Sequence, residues 1–124
     1  MPIAKPMPNF EQGDIVRVPF PYTDRFTRQH RPALVISAGH LGENAELLWV
    51  MMITSAENRP WADDISFGEG FALAGLPAPS VIRPCKIATI ESRHAEKLGQ
   101  AEALIKAQAL TALRSLTGNR PGAT

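Results

Sequence analysis

The sequence predicts a mainly β domain closed by one C-terminal α-helix, and three observations carry that expectation. As far as Ile90, the apolar residues come in short runs with period-two alternation or unbroken β-rich stretches. Only over Ala101–Thr117 does the apolar period change to that of a helix face. At 124 residues, with 44% hydrophobic and 20% charged, the chain is large enough for one real core and not for two. Several strands followed by one amphipathic helix form a small barrel or sandwich with a helical lid.

In chain order, residues 1–9 read as a loose, proline-rich tail. The first strand is expected over Asp14–Phe20, with Val16, Val18 and Phe20 on a buried face and Ile15, Arg17 and Pro19 on the other. Pro19 and Pro21 cannot donate to a ladder, so the strand stops or lies at an edge there. Pro21–His30 is a long polar loop. Pro32–Ser37 (PALVIS) is a strand covered on both sides. Gly39 and Gly42 break that pattern before Leu47–Thr54 (LLWVMMIT), the most core-like strand, in which Trp49 is expected inside. Short strands or turns are expected over Trp61–Ser66 and Gly68–Leu73, then a loop at Gly75–Ser80. Val81–Arg83 and Ile87–Ile90 are expected as two short strands flanking Pro84. In the helix Ile105, Ala109, Ala112, Leu113 and Leu116 share a face that Leu104 and Leu110 widen, and Gly118 is the expected left-handed stop. Residues 10–118 are therefore expected as one domain, with 119–124 a frayed end.

Composition excludes some function classes. The longest unbroken apolar run, Leu47–Ile53, is far short of the roughly 20 residues a spanning helix needs. The first ten residues, MPIAKPMPNF, lack the apolar stretch of a secretory signal. Cys85 is the one cysteine, which leaves no intramolecular disulfide and no cysteine-based metal cluster, as expected in a reducing cytosol. The acids are scattered and no HExxH or paired-Asp spacing occurs, so neither a metal nor another cofactor is expected. With 13 Lys+Arg against 12 Asp+Glu there is no bulk positive field. Charge is instead local: Arg17, Arg25, Arg28 and Arg31 crowd together with His30 among them, a pattern that equally describes a solvated surface.

The order of motifs narrows the reading. Gly13-Asp14-Ile15-Val16 opens the first strand and Arg31-Pro32-Ala33-Leu34-Val35-Ile36-Ser37 begins the second. Ile53-Thr54-Ser55 ends the third. Gly75-Leu76-Pro77 leads to Ser80-Val81-Ile82-Arg83-Pro84 and Lys86-Ile87-Ala88-Thr89-Ile90-Glu91. Over residues 11–118 this series resembles the MazF/PemK family of toxins from bacterial type II toxin–antitoxin systems. The resemblance implies an SH3-like barrel of the CcdB/MazF/Kid type, a homodimer, and metal-independent, sequence-selective cleavage of single-stranded mRNA to a 2′,3′-cyclic phosphate and a 5′-hydroxyl. It also implies a cognate antitoxin protein as partner. Its motif residues correspond to Arg31, Thr54 and Arg83 as the catalytic set. Where Kid-type members have an aspartate two residues after the later arginine, this chain has Cys85, so the proton acceptor is left open.

The residue chemistry agrees with that assignment. A guanidinium grips two phosphate oxygens in parallel and stays charged, which suits Arg31 and Arg83, although Arg83 serves equally well in a salt bridge across a dimer. The Thr54 hydroxyl adds a donor. His30, beside Arg31, is of a type suited to proton transfer. Tyr22, Arg25, Phe26, Arg28 and His30, with Trp61 further on, supply the aromatic platforms and cations that a single-strand groove uses. Cys85 is expected as a small buried apolar group. Two other readings stay open: a non-enzymatic gyrase poison of the CcdB type, and an SH3-like binding module without activity.

Overall fold

A computed structural model describes residues 9–19 and 30–118. Its six strands form one antiparallel, open half-barrel sheet: β1 (Asp14–Pro19), β2 (His30–Val35), β3 (Leu47–Ser55), β4 (Ile65–Ser66), β5 (Ser80–Glu91) and β6 (Glu96–Gln100). Their order across the sheet is β4-β5-β3-β2-β1-β6, and helix α1 (Ala103–Thr117) follows last.

The sheet is buried on both faces. Val16, Val18, Ala33, Val35, Leu48, Val50, Ala88 and Ile90 form one cluster with Phe10. Ile15, Leu34, Ile36, Met51, Ile53 and Ile82 form the other, against which α1 packs Ile105 and Ala109. β2 is thus covered on both sides, as its unbroken apolar run predicts. β1 departs from expectation, because Ile15 is as fully buried as Val16 and only Arg17 is exposed on its face. Of the two outcomes expected at Pro19, the strand ends there, while β1 lies between β2 and β6. Phe20 falls outside the described residues.

Three further expectations are corrected. Trp49 is 49% exposed. By alternation it shares the face of Met51, but it sits opposite Thr89, which is also exposed, so neither the helix nor the core covers that pair. Ser80–Glu91 is one strand rather than two: β3 pairs Met52 with Arg83 but Met51 with Ile87, so Pro84, Cys85 and Lys86 form a bulge unpaired with β3. Pro84 needs no ladder hydrogen bond there. Gly118 closes α1 by donating its N–H to the Arg114 carbonyl at 2.9 Å, with φ of −155° and not left-handed.

β6 carries no apolar alternation and is held by specific contacts. A Cβ on Gly75 would lie 2.1 Å from the Leu98 carbonyl, and one on Gly99 would lie 2.4 Å from the Ala74 carbonyl. Two glycines therefore let the Ala74–Gly75 turn press against β6 backbone to backbone. On the other side, buried Asp14 accepts from Gln100 Nε2 at 3.1 Å and from the Glu11 backbone N–H at 2.9 Å, and pairs with Lys97 at 3.4 Å.

Candidate functional site

Strand register decides which candidate side chains meet. Val18 pairs with Arg31, Met52 with Arg83 and Thr54 with Val81, and Val18 and Met52 belong to the cluster facing away from α1. Directly opposed residues share a face, so Arg31, Thr54 and Arg83 all lie on the face away from the helix. The β2–β3 register carried on past Ala33↔Met52 brings Arg31 level with Thr54. Three motif residues far apart in sequence thus come together at one end of one face.

Their environments differ. Arg31 is half-buried. Thr54 is 5% exposed, and its Oγ1 accepts a hydrogen bond from Asn58 Nδ2 at 2.6 Å. Arg83 is 7% exposed: its Nε donates to Asp64 Oδ1 at 3.2 Å and its Nη2 donates to the Arg59 carbonyl. Its guanidinium carbon lies 4.5 Å from the Trp61 ring centroid, and Lys86 Nζ lies 5.1 Å from the same ring. Asp64 Oδ2 accepts the Trp61 backbone N–H at 2.9 Å. Arg83 therefore clamps the segment between β3 and β4, and a guanidinium so engaged has less of its fork to offer a phosphate.

That segment and the β5 bulge enclose a cleft of about 350 Å³, lined by Trp61, Asp63, Asp64, Arg83 and Cys85 among others. Trp61, 39% exposed, lies in it, as a stacking residue would. Cys85 is exposed rather than buried, because the bulge lifts it off the sheet. Asp64 brings a carboxylate to Arg83 from another element, but both its oxygens are engaged. Sequence reasoning missed Asn58, Asp64 and Lys86. Only Asn58, four residues past Thr54 in a polar turn, had a local signal.

His30 goes elsewhere. By alternation it points to the opposite face from Arg31, and it lines a separate cleft of about 340 Å³ with Arg17, Arg93, His94 and Glu96. Tyr22, Arg25, Phe26 and Arg28 lie outside the described residues. Among the described residues no group of three or more His, Cys, Asp or Glu side chains is placed to hold a metal ion, and no helix is long and apolar enough to cross a membrane.

A half-barrel sheet closed by one helix is also the fold of solved toxin structures. MazE–MazF from Deinococcus radiodurans superposes with a TM-score of 0.67 at 24% identity, covering 89% of this chain and 96% of that one. An endoribonuclease from a Mycobacterial species gives 0.66 at 16% identity, covering 93% and 98%. The toxin MazF-mt6 of Mycobacterium tuberculosis gives 0.58 at 19%, covering 82% and 93%. At these identities the likeness concerns fold. Membership rests on the sequence: residues 11–117 match the family described as PemK-like, MazF-like toxin of type II toxin-antitoxin system, and the chain belongs to that family. No curated protein sequence matches it.

Proposed function

We propose that this toxin is a sequence-selective endoribonuclease that cleaves single-stranded mRNA without a metal. The observation that carries the reading is the convergence of Arg31 and Thr54 at one level of one sheet face, beside the Trp61 cleft. In the reaction, the ribose 2′-oxygen attacks the adjacent phosphorus and the P–O5′ bond breaks. The 2′ proton leaves to a base and the 5′ oxygen takes one up, so the products are a 2′,3′-cyclic phosphate and a 5′-hydroxyl. Negative charge grows on the phosphorane oxygens. The Arg31 guanidinium meets that charge with paired N–H donors and Thr54 adds a hydroxyl.

Arg83 contributes chiefly by holding the Trp61 segment in place, and Trp61 offers a ring on which a base stacks. In this reading the protein acts in the cytosol as a homodimer, and a cognate antitoxin masks the same surface. The MazE–MazF complexes and an endoribonuclease bound to its cognate antitoxin, all of similar fold, support that pairing.

The test is to incubate purified protein with a long single-stranded RNA in EDTA, with Arg31→Ala in parallel, and to read the fragment ends. Discrete cuts ending in cyclic phosphate are expected, with the variant slower by about 10²–10³. Full activity in Arg31→Ala would sink the site, and a requirement for magnesium would sink the mechanism. RNA left intact by micromolar wild-type protein would favour a gyrase poison or a binding module.

A further inference from the structure

Thr54 is not simply presented to substrate; it is hydrogen-bonded in a defined sense. A hydroxyl has one proton to donate and two lone pairs to accept with. The Asn58 amide donates to Thr54 Oγ1 at 2.6 Å and so occupies a lone pair. The hydroxyl proton is then left for an acceptor, and phosphate oxygens only accept.

Asn58 is held in place from both sides. Before it, the turn leaving β3 is closed by the Asn58 N–H on the Ser55 carbonyl at 3.1 Å and by the Glu57 N–H on Ser55 Oγ at 3.2 Å. The Ala56 N–H bonds to the Pro79 carbonyl at 3.0 Å. Immediately after it, the Arg59 carbonyl is gripped by Arg83, which also holds Asp64. An exposed side chain in a turn is thus fixed against a nearly buried hydroxyl.

We propose that Asn58 is a positioning residue that orients the Thr54 hydroxyl to donate its proton to the scissile phosphate. The proposal rests on Thr54 acting in RNA cleavage as argued above. It also gives the Arg83 clamp a purpose, since loosening Arg59 frees the residue next to Asn58.

The experiment measures kcat and KM on a single-stranded oligoribonucleotide carrying a cut site mapped with the wild-type protein. Asn58→Ala, Asn58→Asp, Thr54→Ala and the Thr54→Ala/Asn58→Ala pair are compared, with thermal unfolding of each. Asn58→Ala is expected to lower kcat about tenfold with KM within about twofold, the mark of an interaction made in the transition state. Asn58→Asp is expected to be slower still, because a carboxylate accepts the Thr54 hydroxyl's hydrogen bond, turning it from the phosphate, and faces that phosphate with like charge. With Thr54 already alanine, removing Asn58 should change nothing further. Additive losses in the pair would overturn the proposal. So would a rise in kcat on Asn58→Ala, which would mark the amide as a cover over Thr54. If Thr54→Ala is inactive and Asn58→Ala is unaffected, the positioning role alone fails. If Thr54→Ala keeps full activity, the site reading fails with it.

Discussion

The Arg83 cleft and the His30 cleft both bring arginines to a carboxylate and use them in opposite ways. In the first, Arg83 is withdrawn from solvent and committed to a carboxylate, a backbone carbonyl and an indole ring. In the second, Arg17 and His30 are exposed and have no partner among the described residues, while Arg93 and His94 lean on Glu91 at 3.0 and 3.5 Å. The difference separates a cation that organises the chain around it from cations that do not. A charge held in one geometry shapes what surrounds it, whereas solvated charges contribute a diffuse field screened by salt.

Breaking the first cleft should have the larger effect. Arg83→Ala leaves Asp64, its side chain only 11% exposed, without its cation, and removes the hold on Arg59. A loss of about 3 kcal/mol is expected, seen as a fall of roughly 10 °C in the unfolding midpoint by circular dichroism. Arg83→Lys should recover little of it, because an ammonium lacks the planar fork that meets Asp64, Arg59 and Trp61 together. A shift under about 2 °C would put Arg83 in the same class as Arg17 and erase the contrast.

Trp61→Ala should cost less, about 1–2 kcal/mol, since it removes the ring under Arg83 and Lys86 but leaves the ion pair. Trp61→Phe keeps a ring face and should fall between wild type and alanine. In the second cleft, Arg17→Ala and His30→Ala should each stay within about 0.5 kcal/mol of wild type. RNA cutting should also survive His30→Ala. An inactive, folded His30→Ala protein would make the second cleft part of the site and break the comparison from the other side.

How much of this was legible depends on the range of the interaction involved. The strands around Val16, Val35 and Val50 and the helix around Ile105 follow from local periodicity, because each must bury an apolar face. β6 was missed, as Glu96–Gln100 has no alternation and is held by the Gly75–Gly99 contact and by Asp14. Trp49 was misplaced for a related reason: a run of apolar residues fixes a strand but not how far a lid reaches along it. At the candidate site, the choice of Arg31 and Thr54 as candidates was readable from motif order. The burial of Arg83 was not, since its partners come from a loop nineteen and twenty-four residues away.

The strand-rich body, the closing helix, the family and the choice of candidate residues follow from local pattern and motif order alone. That His30 faces away from Arg31, that Cys85 stands out on a bulge, and that Arg83 grips the segment next to Asn58 emerge from the folded chain. Those outcomes turn on register, where a one-residue shift moves a side chain to the other face, and register is set by pairing between distant segments.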